Sequence, residues 1–208
     1  VANALDVLAD INLEMEQFDQ ALRMYNRSYE YHRKAGNKRM IVSSQMNLGR
    51  YFTLRQNYPL ALSYYRDALV LAQELQDKWS LARISVNLGE LYGARKEYST
   101  AFRYLDDALS IAEGMESKDI QQDAYHKLYE LHKMRGNYQL ALEYYLNYAA
   151  IREAMMNVES RTSIANLESR YDLVNKAKEI ERLEKENITN QLDLQRGGAA
   201  DKAATQLV

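Results

Sequence analysis

Apolar residues recur along most of the chain at alternating spacings of three and four residues. Residues 78–113 illustrate the pattern, with one apolar stripe at Leu81, Ile84, Leu88 and Leu91. Such spacings place side chains on one face of an α-helix, whereas a half-buried strand would alternate every two residues. The pattern predicts a helix from about Trp79 to Ala94 and a second from about Tyr98 to Glu113, separated by the polar residues 95–97.

The same pattern returns every 40 residues. Four segments align without a gap and share a leucine, an aromatic residue and an alanine at fixed offsets: Leu8, Leu48, Leu88 and Leu128; Phe18, Tyr58, Tyr98 and Tyr138; Ala21, Ala61, Ala101 and Ala141. The small alanines would let paired helices approach closely. Pro59 falls in the first turn of a predicted helix, where its missing N–H is not needed. The repetition predicts an all-α solenoid of four helix-turn-helix units, at about 1–37, 38–77, 78–117 and 118–154.

Several of the recurring residues also resemble a known repeat. The pairs Leu48-Gly49 and Leu88-Gly89, with the Tyr-x-x-Ala pairs and the downstream Ala68 and Ala108, are similar to the tetratricopeptide repeat. The resemblance covers about residues 5–151, and the 40-residue unit is similar to the long-helix variant of that repeat. It implies a superhelical solenoid of the tetratricopeptide-repeat (TPR) type, which binds a protein or peptide in its concave groove.

The repeats end near Ala150, and residues 155–196 contain neither Gly nor Pro. We expect one long helix here, followed by a mobile tail at 197–208. A first apolar stripe would pack on the last repeat, at Ile164, Leu167, Tyr171 and Val174. A second would form a short coiled coil and is a candidate for homodimer formation, at Ile180, Leu183, Asn187 and Leu194. The alternative is a single solvated helix held by pairs such as Glu181 with Lys185.

The segment from Ile164 to Arg196 also resembles the helical connector that follows such repeats in many bacterial signalling proteins. The connector of that family leads to an output module, which can be a histidine kinase, a diguanylate cyclase or a DNA-binding domain. The resemblance therefore implies a sensory or regulatory region. Because the pattern at Val1 already lies inside a predicted helix, we also expect further repeats upstream.

Composition narrows the function. The 208 residues carry 27 Lys and Arg against 29 Asp and Glu, a formal charge of −2, so no general electrostatic attraction to nucleic acid or to an anionic membrane is expected. The absence of Cys excludes disulfides and thiolate chemistry. No signal peptide and no apolar run long enough to span a membrane is recognisable, which leaves the compartment open between cytoplasm and periplasm.

The residues that catalysis requires are scarce. The chain has three His, and His126 and His132, six residues apart on a helix, point in different directions and cannot share a metal. It contains neither a G-x-S-x-G motif nor a glycine-rich phosphate loop. We therefore predict no enzyme activity, no metal site and no cofactor.

A groove on the first helix of each unit is the predicted binding surface. Asn47 and Asn87 occupy equivalent positions in adjacent units, where their amides can hold the backbone of an extended peptide, as asparagines of similar repeats do. Arg50 and Arg83 can pair an acidic side chain or a terminal carboxylate of the ligand. The groove set is completed by Glu90, Lys127 and Glu130. In the alternative, both asparagines only bond to neighbouring helices.

Three functions follow from these features. The leading hypothesis is a non-catalytic sensory region that binds a protein or peptide in a bacterial signal-transduction protein. The second is a stand-alone adaptor in which the C-terminal helix only caps the solenoid. The third is a peptide-responsive cytoplasmic regulator, which resembles quorum-sensing receptors built on long TPR units.

Overall fold

The computed structural model describes residues 2–158, 160–162, 169, 171, 176, 178, 180 and 182. Its helices are α1 (Ala2–Glu14), α2 (Phe18–Lys34), α3 (Lys38–Leu54), α4 (Tyr58–Glu74), α5 (Lys78–Ala94), α6 (Tyr98–Gly114) and α7 (Lys118–Met134). Residues 138–158 form a further helix, α8. The predicted helices from about Trp79 and Tyr98 are confirmed with shifts of one residue, and the all-α, TPR-like solenoid is confirmed as the fold.

The chain divides into two compact units, Val1–Ala154 and Met155–Val208. In the second unit the described residues are helical, and the Thr162 hydroxyl donates a hydrogen bond of 2.9 Å to the Val158 carbonyl. Tyr171 and Ile180 are exposed. The other residues of both apolar stripes and the predicted tail at 197–208 lie outside the described residues, so the coiled coil stays a prediction.

A three-residue turn of constant geometry joins each helix to the next. Its middle residue has a positive φ in every turn: Glu16, Gly36, Gln56, Gln76, Lys96, Glu116 and Gly136. In the turn after α3, Gln56 N–H bonds to the Thr53 carbonyl at 3.0 Å and Asn57 N–H to the Phe52 carbonyl at 2.9 Å. This is the Schellman arrangement, which satisfies the last carbonyls of a helix.

The residue after the left-handed position also starts the next helix. Asn37, Asn57 and Asp77 each accept, through the side chain, a hydrogen bond of 3.1–3.4 Å from the backbone N–H three residues later. One residue therefore closes one helix and caps the next. With 17-residue helices, this turn accounts for the 20-residue spacing of helix starts.

Small residues at the repeat positions bring the two helices of a unit together. Ala21, Ala61 and Ala101 are fully buried. A Cβ on Gly89 would lie 2.6 Å from Leu105 Cγ, so only glycine allows α5 and α6 to pack at this distance. The glycine of each Leu-Gly pair is thus a close-packing position.

The odd-numbered helices contact one another in succession: α1 with α3, α3 with α5, and α5 with α7. Ion pairs join equivalent positions of successive units, Asp10 with Arg50 and Arg83 with Asp123. The odd helices of the first unit therefore run parallel and in register. The candidate site lies on the surface that these helices share.

Candidate functional site

The side-by-side packing of the odd helices brings the predicted groove residues together. Six of them line one cleft of about 590 Å³ that lies along α3 and α5 and is bordered by residues of α1 and α7, namely Asn47, Arg50, Arg83, Asn87, Glu90 and Lys127. The seventh, Glu130, lines a neighbouring cleft of about 750 Å³ that it shares with Glu90 and Lys127. Both volumes fall in the range of roughly 300–1,000 Å³ that is typical of ligand sites.

Arg50 is held by residues of the first repeat. Its Nη2 donates to Asp10 Oδ1 and, at 3.3 Å, to the Tyr25 hydroxyl, which itself donates to Asp10 Oδ1 at 2.6 Å. Burial disfavours the charged guanidinium, but Tyr25 and Asp10 outweigh this effect and raise the pKa of Arg50. The guanidinium is charged and directed toward its own chain.

Arg83 and Lys127 make equivalent contacts between the third and fourth repeats. Arg83 pairs with Asp123 and, at 2.8 Å, with Asp119. Lys127 Nζ lies 2.9 Å from Glu90 and 3.4 Å from Glu130. Burial opposes the charge of Lys127, yet these two carboxylates raise its pKa. All three predicted groove cations are therefore already paired with carboxylates of the chain itself.

The two asparagines differ in their surroundings. Asn47 lies beside Asp6 of α1 and favours the charged form of that carboxylate. The pKa of Asp6 is nonetheless raised, because burial outweighs Ser28, His32 and Asn47. Asn87 is half-buried, lines the cleft and makes no hydrogen bond to any described residue. Asn87 thus has both the carbonyl and the NH2 group of its side-chain amide available for a ligand.

The cleft also contains two exposed apolar side chains that the pattern did not single out. Leu54, the last residue of α3, is 53% exposed, and Trp79, near the start of α5, is 43% exposed. The Arg83 guanidinium lies 5.2 Å from the centre of the Trp79 ring. A single tryptophan at a helix start, outside the apolar stripe, was the available signal in the sequence.

Other kinds of site have less support. Among the residues that the structure describes, no group of three or more His, Asp or Glu is placed to hold a metal ion. His132 is stacked between Phe102 and Tyr144, with ring centres at 4.4 and 5.3 Å. None of the described helices combines the length and apolar character that a membrane crossing requires.

Comparison with known proteins supports the assignment of the fold as a TPR-like solenoid. Residues 40–114 match the family model described as tetratricopeptide repeat. No curated protein matches the chain significantly.

Three solved structures with a similar fold are longer than this chain. Aspartyl phosphate phosphatase F from Bacillus subtilis has a TM-score of 0.65 at 18% identity, over 76% of this chain and 41% of its own. A Rap protein complexed with Competence and Sporulation Factor has a TM-score of 0.65 at 20% identity, over 72% and 42%. The apo form of RapI has a TM-score of 0.59 at 21% identity, over 74% and 43%. At these identities the likeness shows the fold alone, and the chain spans less than half the length of each neighbour.

Proposed function

We propose that this chain is a non-catalytic scaffold that binds an extended peptide in the cleft between α3 and α5, as the sensory region of a bacterial signal-transduction protein. The observation that carries the proposal is Asn87, a half-buried amide that lines the cleft without a partner among the described residues. An asparagine amide offers one donor group and one acceptor, the pair that a peptide backbone requires.

The fold and the comparisons support protein or peptide binding. A TPR-like solenoid presents a long surface on its first helices. One structural neighbour, a Rap protein, was determined in complex with Competence and Sporulation Factor. Another is named a phosphatase. The role that we propose is binding, and the groove cations Arg50, Arg83 and Lys127 are held in ion pairs with carboxylates of the chain itself.

Two side chains that face the same cleft from α3 and α5 pair away from each other. Arg50 pairs with Asp10 of α1, and Glu90 pairs with Lys127 of α7. A peptide bound along α3 and α5 therefore contacts two parts of the solenoid, each of which is held together by its own ion pair. In the proposed mechanism, binding shifts α3 relative to α5, and this movement is transmitted to the rest of the protein.

A randomised 12-residue peptide library displayed on phage tests the binding function. We expect peptides selected on the wild-type chain to bind the Asn87→Ala variant about tenfold more weakly, the effect of one or two lost hydrogen bonds. Asn26→Ala, at an exposed asparagine of α2, is the matched control and should leave the dissociation constant unchanged. Equal affinity for the wild type and Asn87→Ala would remove the proposed site.

The gene downstream of residue 208 distinguishes signalling from the adaptor function. An encoded output domain favours the sensory role, and a stop codon favours the stand-alone adaptor. Peptide binding by itself is compatible with both.

A further inference from the structure

The ends of the cleft between α3 and α5 are marked by the two exposed apolar side chains. Since equivalent positions of the odd helices lie side by side, Trp79 of α5 is level with Arg39 of α3, fifteen residues before Leu54. Fifteen helical residues extend about 22 Å. Asn47 and Asn87 lie near the middle of that distance, seven residues before Leu54 and eight after Trp79.

An extended peptide advances roughly 3.3 Å per residue. About seven residues therefore reach from Trp79 to Leu54 while their backbone passes the asparagines. Both apolar side chains are about half exposed, at 43% and 53%, although each lines a concave surface. Each offers area that an apolar ligand side chain can cover.

The charged side chains that line this cleft balance, and they favour a ligand without charge. The three lining cations pair with the three lining carboxylates, Arg50 with Asp10, Arg83 with Asp123 and Lys127 with Glu90, and two carboxylates outside the lining, Asp119 and Glu130, share Arg83 and Lys127. A charged ligand residue would have to break one of these pairs or remain beside the like charge of its partner. The sequence pattern alone suggested an acidic ligand for Arg50 and Arg83, and the paired geometry favours a neutral one.

We infer that the ligand of this cleft is an uncharged, extended segment of about seven residues with an apolar side chain at each end, one against Trp79 and the other against Leu54. This inference rests on the proposed function and specifies which peptides the site accepts. Affinity comes from burial of the two apolar ends of the ligand and from hydrogen bonds between the ligand backbone and the Asn87 side chain.

The peptides selected from the randomised 12-residue library test this inference through their composition. We expect enrichment of pairs of apolar residues spaced five to seven apart, with uncharged residues between them. Dissociation constants of synthetic copies, measured by fluorescence anisotropy, should change less than about twofold between 50 and 500 mM NaCl. Enrichment of Asp, Glu, Lys or Arg, or affinity that falls steeply with salt, would overturn the inference.

Variants locate the two ends. Trp79→Ala and Leu54→Ser should each weaken binding about fivefold or more, as loss of an anchor side chain does. The matched controls are Tyr31→Ala on α2 and Val70→Ser on α4, both exposed apolar residues outside the cleft. The inference fails if the cleft variants weaken binding no more than these controls.

The outcomes separate the two proposals. If Asn87→Ala weakens binding and Trp79→Ala and Leu54→Ser do not, the peptide site stands and the apolar ends are wrong. If the wild-type chain selects no peptide, both proposals fail. Circular dichroism of each variant ensures that a loss of binding is not a loss of folding.

Discussion

The ring of Tyr65 lies directly against the backbone of Gly49, in the space that a side chain on residue 49 would need. Tyr65 is buried and its ring has little freedom to move. Residues 16 apart on α3 and α4 thereby determine how closely these helices pack. The Leu-Gly pair is consequently a packing requirement of the unit.

We expect Gly49→Ala to destabilise the fold by about 1–2 kcal/mol, because overpacking against Tyr65 exceeds the gain in helix propensity. Gly114→Ala is the control, since no atom lies within 4 Å of the Cβ it would introduce. That variant should be neutral or more stable than wild type. Thermal unfolding followed by circular dichroism measures both, and equal shifts in Tm would contradict the packing explanation.

The left-handed turn residues offer a stabilising substitution. Lys96 has a φ of 63°, a conformation that costs a residue with a Cβ roughly 1 kcal/mol. Lys96→Gly should therefore raise the free energy of unfolding by about 0.5–1 kcal/mol in urea titration. Glu97→Gly, at a φ of −86°, relieves no strain and should not stabilise the fold. A destabilised Lys96→Gly variant would refute the prediction.

Asp119 should account for part of the loss of folding stability at acidic pH. Burial alone would raise its pKa, but Ser117, Arg83 and the Ile120 N–H together lower it below 3.8. A carboxyl whose folded-state pKa is lowered contributes stability above its unfolded pKa, and this is lost as pH falls through the folded value. Asp119→Asn should reduce Tm at pH 7, and the difference from wild type should shrink below about pH 4. A constant difference across this range would exclude the mechanism.

His132 should cause a second loss of stability on acidification, one that begins at a higher pH than the loss caused by Asp119. Burial, and then the charge of Arg135, lower its pKa below 6.5, and Asp106 opposes them only in part. Because the unfolded chain binds the proton more readily, stability is lost as pH falls below about 6.5. His132→Phe retains stacking with Phe102 and Tyr144 and should flatten the dependence of Tm on pH between about 7 and 5. An unchanged slope would show that His132 does not titrate as described.

Asn47 and Asn87 should respond differently to the same substitution. Asn47 favours the charged form of Asp6, so Asn47→Ala should raise the pKa of Asp6 further, measurable by NMR titration. Asn87→Ala removes no bond among the described residues and should alter neither this pKa nor Tm. The same upward shift in both variants would contradict the asymmetry.

Local spacing was sufficient to predict the helices and their repetition. Helix boundaries near Trp79 and Tyr98 follow from apolar periodicity and from turn residues, which act within a few positions of the chain. The left-handed conformation in every turn was harder to predict from the sequence, because Gln56 and Lys96 do not favour a positive φ as Gly36 does. Those residues adopt the conformation because the packed helices on either side require it.

The sequence by itself determined an all-helical array of 40-residue units and the set of residues on the first helix of each. Only the tertiary structure decided which partners those residues have. It paired Arg50 with Asp10 and Arg83 with Asp123, and left Asn87 without a partner among the described residues. The reason is that helix periodicity is a local property, whereas an ion pair between residues 40 apart depends on how one repeat stacks on the next.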